Sequence, residues 1–249
     1  MLLRSLFSAV LLLLPITAQA ATFERCGKTE IAVASAALRG AGDIVLSAAA
    51  TVSDSDAYRR WFGRYDSLRA ETVRRNLKAI NRALISDEMA VVCPAFGEDG
   101  CLRDTYANVY PDEPYIINLC PAFFRQPNMH AHPPGAPELE FGTREGTIIH
   151  EMSHFRVVAD TEDLCYSRSD CSAMAERDPA GAIRNADSYQ YFAEDVTFYP
   201  LPAEDMEALE DTALEDPATP LDRTLPPRSF STGPGEACLT CRLSPAIDE

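Results

Sequence analysis

His150-Glu151-Met152-Ser153-His154 holds the residues best suited to chemistry in this sequence. Two histidines four positions apart share one face of a helix, where both imidazoles can aim a nitrogen at one metal ion. Glu151 follows the first histidine and can take a proton from a water held at that metal, so the pattern implies metal-assisted hydrolysis. The spacing requires a helix. Thr143 or Thr147 would start it, Ile148 and Ile149 would carry it into a core, and its expected end lies near Val157 or Val158.

Catalytic zinc takes three protein ligands and leaves one position for water. The sequence has 4 histidines, and the other two, His130 and His132, fall in a proline-rich stretch over 125–139 that reads as a surface loop. The third ligand is therefore expected to be a carboxylate, and three candidates present themselves. Asp160 has the spacing of a His-Glu-x-x-His-x-x-Gly-x-x-His site, but Val157 stands where that geometry needs glycine. Glu194 lies on a later predicted helix. Asp163 follows His154 by nine residues, within a loop long enough to turn back under the metal. Spacing leaves all three open.

Several helices and a few short strands must position these groups. Apolar residues at helical spacing predict a helix over 28–50, with Gly40 and Gly42 as points of bending or interruption, and a second helical region over 56–86 broken near Gly63. Trp61 reads as core. Met89–Cys93, Tyr106–Tyr110 and Tyr115–Leu119 read as short strands, the last two flanking the Pro111-Asp112-Glu113-Pro114 turn. Helices are also expected over 169–177 and 186–197, with Pro200 closing the second. Beyond Pro200 the chain becomes acidic and proline-rich, an extension over 200–249 following a domain over 21–199.

The stretch from Gly146 to Tyr166 resembles the deuterolysin and peptidyl-Lys metalloendopeptidase family, the aspzincins. Gly146, Thr147, His150, Glu151 and His154 match the first half of that family's metal motif, and Thr161, Asp163 and Tyr166 match the second. Asp160 and Ser167 stand where the family has glycines. Trp61-Phe62-Gly63, Tyr110-Pro111, Leu119-Cys120 and Asn185-Ala186-Asp187-Ser188-Tyr189 resemble family segments in the same order, so the likeness covers roughly 26–199. It implies an α+β, mainly helical zincin-like domain with a small antiparallel sheet. It further implies one Zn2+ per chain on His150, His154 and Asp163, Glu151 as general base, and Tyr166 steadying the oxyanion. Protein or peptide substrates follow from the same resemblance. Asp187 matches an aspartate in the pocket for the side chain after the scissile bond, which suits a basic residue, lysine above arginine. The bland reading of Asp187 is a helix N-cap. A nearby acidic residue of some lysine-specific members is Gln190 here.

Composition fits an exported protein. The 249 residues carry a formal charge of −16, which disfavours nucleic acid and anionic membrane as partners. Arg4, the Leu11–Leu14 run and Ala18-Gln19-Ala20 form a cleavable signal pattern over 1–20, giving a secreted, extracellular or periplasmic chain without stable membrane association. A monomer is expected. The family-like region starts so soon after the cleavage site that no N-terminal inhibitory domain is expected. The 8 cysteines read as disulfides, and locality favours Cys26–Cys93, Cys101–Cys120, Cys165–Cys171 and Cys238–Cys241. The alternative from another class is a secreted zinc-binding protein of the same fold without turnover, acting in scavenging or adhesion. The presence of Glu151 between the histidines favours the enzyme.

Overall fold

The protein's structure is a computed structural model that describes residues 21–199. The expected signal over 1–20, the extension over 200–249 and the Cys238–Cys241 bridge lie outside the described residues.

The chain opens on β1 (Thr22–Glu24) and passes into α1 (Lys28–Thr51), α2 (Asp56–Phe62) and α3 (Ser67–Leu84). Local chemistry sets these boundaries. Gly27 N–H donates to Glu30 Oε2 at 2.7 Å to begin α1, Ser55 Oγ accepts from Tyr58 N to begin α2, and Asp66 Oδ1 accepts from Arg69 N to begin α3. Gly63 ends α2 at φ 73°, where an added Cβ would meet Ala175 O at 2.4 Å, so the break expected there is present. Gly40 and Gly42 do not interrupt α1. At Gly40 an added Cβ would meet Glu145 Cγ at 2.8 Å, so this glycine serves close packing against the helix that bears the histidines.

The sheet corrects the expectation of an antiparallel one. Its order is β1-β2-β4-β3, with β2 at Ala90–Val92, β3 at Ala107–Asn108 and β4 at Ile116–Leu119. β1 pairs β2 in parallel and β2 pairs β4 in parallel, while only β3 and β4 run antiparallel. The reason lies in connectivity. Three helices separate β1 from β2, and parallel neighbours need such long crossovers, whereas the turn after β3 is short enough for a hairpin.

The second half of the chain is helical: α4 (Arg144–His154), α5 (Arg168–Arg177), the short α6 (Pro179–Ala182) and α7 (Ala186–Phe198). α4 stops at His154, before the expected Val157, because Phe155 turns out to ψ 130° and Val157 lies exposed in the following turn. α7 is buried over Ala186–Val196, and α4 packs along it and against α1. A helix buried all round is a core element. α1 has the length and hydropathy of a membrane span, yet Ala34, Ala41, Val45 and Ala48 on it are fully buried in the core.

Tyr58, Trp61, Phe62, Tyr189, Tyr191 and Phe192 fill the space between α2 and α7, with Phe62 edge-on to both Tyr189 and Phe192. Each buried aromatic contributes about 1.5–3 kcal/mol. Cys26–Cys93, Cys101–Cys120 and Cys165–Cys171 are bonded as locality predicted. The first joins residues 67 apart, and by chain entropy such a closure stabilises the fold by about 4 kcal/mol.

Candidate active site

α4 carries His150, Glu151 and His154 on a helix whose start is fixed from two directions. Thr143 Oγ1 accepts from Gly146 N at 3.1 Å, and the Thr143 N–H and hydroxyl both donate to Glu194 Oε1 at 2.8 Å. Gly146 makes that approach possible, since a Cβ there would lie 2.0 Å from Glu194 Oε1. Glu194, weighed as a third ligand, is instead a fully buried ion-pair partner of Arg168. Burial raises its carboxyl pKa, against the opposing pull of Arg168 and Thr143.

The polypeptide after α4 turns sharply and brings Asp163 back to the histidines. Asp160 sits in this turn at φ 50°, and Ser167, past the loop, sits at φ 73°. Both positions therefore keep the left-handed backbone that glycine usually supplies, at a cost on the order of 1–3 kcal/mol each. Asn185, the N-cap of α7, clamps the loop by accepting from Leu164 N at 2.9 Å and Cys165 N at 3.2 Å. The backbone pairs Glu162 N–Arg184 O and Ala186 N–Glu162 O close the same junction.

The result is a triangle of ligand atoms. His150 Nε2 lies 3.1 Å from His154 Nε2, and Asp163 Oδ1 lies 3.2 Å and 3.3 Å from the two imidazoles. The other ring nitrogens are held from behind: His150 Nδ1–H donates to Asp187 Oδ1 at 2.6 Å, and His154 Nδ1–H donates to the Thr161 carbonyl at 3.0 Å. These bonds fix the tautomers and aim both Nε2 lone pairs at one point. A tetrahedral ion with bonds of about 2.1 Å holds its ligands about 3.4 Å apart, so the spacing fits zinc. Two imidazoles and one carboxylate are also the donor types zinc takes.

Electrostatics agree with that fit. Burial alone would push the His150 imidazole down, but the Asp187 and Asp163 carboxylates hold it well above its ordinary value. Burial would raise Asp163, and the adjacent His150 and His154 hold its carboxyl far below the usual range. A site so rich in negative charge favours a cation at its centre.

Glu151 is buried and lines a cleft with His150, Tyr166, Thr147, Asp187 and Gln190. Asp187 does not cap α7. Asn185 holds that position, and Asp187 lies in the first turn, inside the helix. Asp160 is outside the ligand group, and His132 pairs weakly with Glu138 at 4.0 Å in the upstream loop. Among the described residues, His150, His154 and Asp163 are the group of ligating side chains that converge. Sequence reasoning placed Thr161 in the motif without its role behind His154, and missed Arg168 and the clamping role of Asn185. The Asn185-Ala186-Asp187 segment carried a signal for the last of these, whereas the contacts of Arg168 depend on tertiary packing.

A mixed α+β fold with a His-His-Asp centre beside a buried glutamate has the form of a zinc-dependent metallopeptidase. The sequence profile of the aspzincins, described as lysine-specific metallo-endopeptidases, matches residues 47–194, and the chain belongs to that family. It is 35% identical over 174 residues to an extracellular protease of Aeromonas hydrophila, across 68% of this chain and 46% of that protein. It is 35% identical over 139 residues to a peptidyl-Lys metalloendopeptidase of Armillaria mellea, across 55% of this chain and 34% of that one. The chain thus spans less than half the length of these two curated relatives. A zinc peptidase from Grifola frondosa superposes with a TM-score of 0.58 at 27% identity, covering 69% of this chain and 98% of that one. The family implies a bound metal, typically zinc.

Proposed function

We propose that this chain is an exported zinc endopeptidase that cuts the bond preceding a basic residue, lysine above all. The observation that carries this reading is the convergence of His150 Nε2, His154 Nε2 and Asp163 Oδ1 next to Glu151 in an open cleft. Residues 21–199 are the catalytic domain in this reading, 200–249 an appended extension, and one zinc serves each monomeric chain.

Zinc bound by these three residues would polarise a water and the scissile carbonyl. Glu151 accepts the proton of the attacking water and returns it to the departing amine. Tyr166, on the wall of the same cleft, donates to the oxyanion, a role worth about 2.7–4 kcal/mol for one good donor. Asp187 and the Thr161 carbonyl keep the imidazoles oriented throughout. Support for lysine comes from the names of the relatives and from the acidic side chains of the cleft. Support for export comes from the signal pattern and from the extracellular Aeromonas relative.

The test pairs metal content with cut sites. The purified chain and its Glu151→Ala variant are assayed for zinc, and cleavage of a denatured protein is mapped by mass spectrometry. One zinc in each, with cuts before lysine by the parent alone, is expected. Zinc in both with cutting by neither would replace this reading with the non-catalytic zinc binder.

A further inference from the structure

The cleft beside Glu151 is walled by Asp104, Tyr106, Phe141, Tyr191, Asp187 and Gln190, among others, and no lysine or arginine lines it. Its acidic groups are not equivalent. Glu151 stands beside the ligand cluster, and Asp187 already holds His150 Nδ1 through Oδ1. Gln190 is neutral. Asp104 differs from all of these: it is exposed at the mouth of the cleft and makes no ion pair within 4.0 Å among the described residues.

The loop that presents Asp104 is fixed. The Cys101–Cys120 bridge ties it to the end of β4, and Asn108 Nδ2 donates to Asp99 O at 2.9 Å. Cys101 N donates to Glu98 O and Thr105 N to Leu102 O, so one backbone turn precedes the residue and a second contains it. The charge of Asp104 is felt inside the cleft. The Tyr106 phenol is raised by burial first and by Asp104 second. Arg125 opposes that effect, but it donates to Pro121 O and is not part of the lining. The half-buried rings of Phe141 and Tyr106 also line the cleft and offer apolar surface, which suits the methylene stem of a long basic side chain.

We infer that Asp104 is a specificity-determining residue: its carboxylate, at the mouth of the cleft, pairs with the ammonium of the substrate side chain that follows the scissile bond. The inference rests on the peptidase reading above and adds to it the residue from the β2–β3 loop that recognises charge. An ion pair formed at an exposed site contributes little, whereas one shielded by the bound substrate contributes more. A lysine that fits the cleft gains that contact on binding, and an uncharged chain of equal length does not.

The experiment uses the full chain, zinc-loaded, with two peptides identical except for lysine or norleucine after the scissile bond. Asp104→Asn and Asp104→Lys are compared with the parent; the position is exposed, so folding is not at stake, and melting curves check this. Asp104→Asn is expected to lower the lysine-to-norleucine ratio of kcat/KM about tenfold, mostly through KM, corresponding to about 1.4 kcal/mol. Asp104→Lys lowers the ratio further, and in both variants lysine cleavage falls more than norleucine cleavage. Added salt weakens lysine cleavage by the parent more than by Asp104→Asn. An unchanged ratio in both variants, with the parent still favouring lysine, would overturn the role of Asp104 and leave the peptidase standing. A parent that cuts neither peptide nor a denatured protein would overturn the peptidase reading, and this inference with it.

Discussion

Asp187 Oδ1 accepts a 2.6 Å hydrogen bond from His150 Nδ1, so the first turn of α7 holds the ring of a proposed zinc ligand on α4. That bond fixes the imidazole with its Nε2 lone pair toward His154 and Asp163. Asp187 is buried, and its alignment with the ring is a reason for its charge that needs no substrate. Asp187→Ala should weaken zinc binding about 10–100-fold, the usual effect of losing a partner behind a ligating histidine. Asp187→Asn retains an oxygen that accepts from Nδ1–H and should lose less. Competition against a chromophoric chelator measures both, and equal zinc affinity in parent and Asp187→Ala would remove this role.

Gly146 and Gly42 are both helical glycines, yet they should respond oppositely to alanine. A Cβ at Gly146 would lie 2.0 Å from Glu194 Oε1 and 2.7 Å from Gln190 Cγ, while one at Gly42 meets nothing within 4 Å. Gly146→Ala must displace a carboxylate that holds the N-cap of α4, and overpacking of this kind costs about 1–3 kcal/mol. Gly42→Ala removes backbone freedom from the unfolded chain and should stabilise α1 by about 0.5–1 kcal/mol. Urea unfolding of the two variants against the parent gives both signs, and a neutral Gly146→Ala would mean that α4 and α7 are further apart than described.

Much of this arrangement was legible in the sequence, and the part that was not has identifiable causes. The i, i+4 histidines fixed one helix because its geometry is local, and the break between α2 and α3 was readable at Gly63, whereas the caps Ser55 and Asp66 emerge only in the structure. Spacing left Asp160, Glu194 and Asp163 open as third ligands because loop return is a tertiary event. The resemblance singled out Asp163, and the structure brings it to the histidines. Asp160 and Ser167 adopt positive φ without glycine, so the turn is imposed by clamps such as Asn185. Glu194 looked like a ligand because its partner, Arg168, lies 26 residues away in sequence and only packing unites them. The parallel pairing of β1 was hidden for a similar reason: three residues carry no readable alternation, and the pairing spans three helices.

Arg168 is the centre of a buried charge network, and its loss should be severe. Its guanidinium pairs with Glu194 Oε2 and with Asp195 Oδ1 at 2.6 Å, donates from Nε to Leu139 O at 3.0 Å, and lies 4.9 Å over the Tyr191 ring. Asp195 also accepts from Trp61 Nε1 at 2.8 Å, so the network ties α2, α5 and α7 together. Arg168→Met strands a fully buried Glu194 and should cost about 3–5 kcal/mol. Adding Glu194→Gln should recover part of that loss, because the stranded charge is then absent. Thermal melts of the single and double variants decide the matter, and strict additivity would show that the two residues are not coupled.

Stability should also fall at alkaline pH through buried phenols. Burial pushes the Tyr58 pKa from 10.0 up to about 12, and it raises Tyr189 as well, whose hydroxyl donates to Ile183 O at 2.7 Å. The sign follows from proton counting. Between these values the folded chain keeps a proton that the unfolded chain has lost, so raising the pH favours unfolding. The stabilisation is therefore complete below pH 10 and is lost as the pH rises toward 12. Each unit of that interval corresponds to about 1.4 kcal/mol per phenol, so Tyr58 alone accounts for a loss on the order of 2–3 kcal/mol. Urea unfolding at about pH 8 and about pH 11 should show the decline, and Tyr58→Phe should make it shallower. An identical slope in Tyr58→Phe would assign the alkaline loss to other groups, Tyr189 first among them.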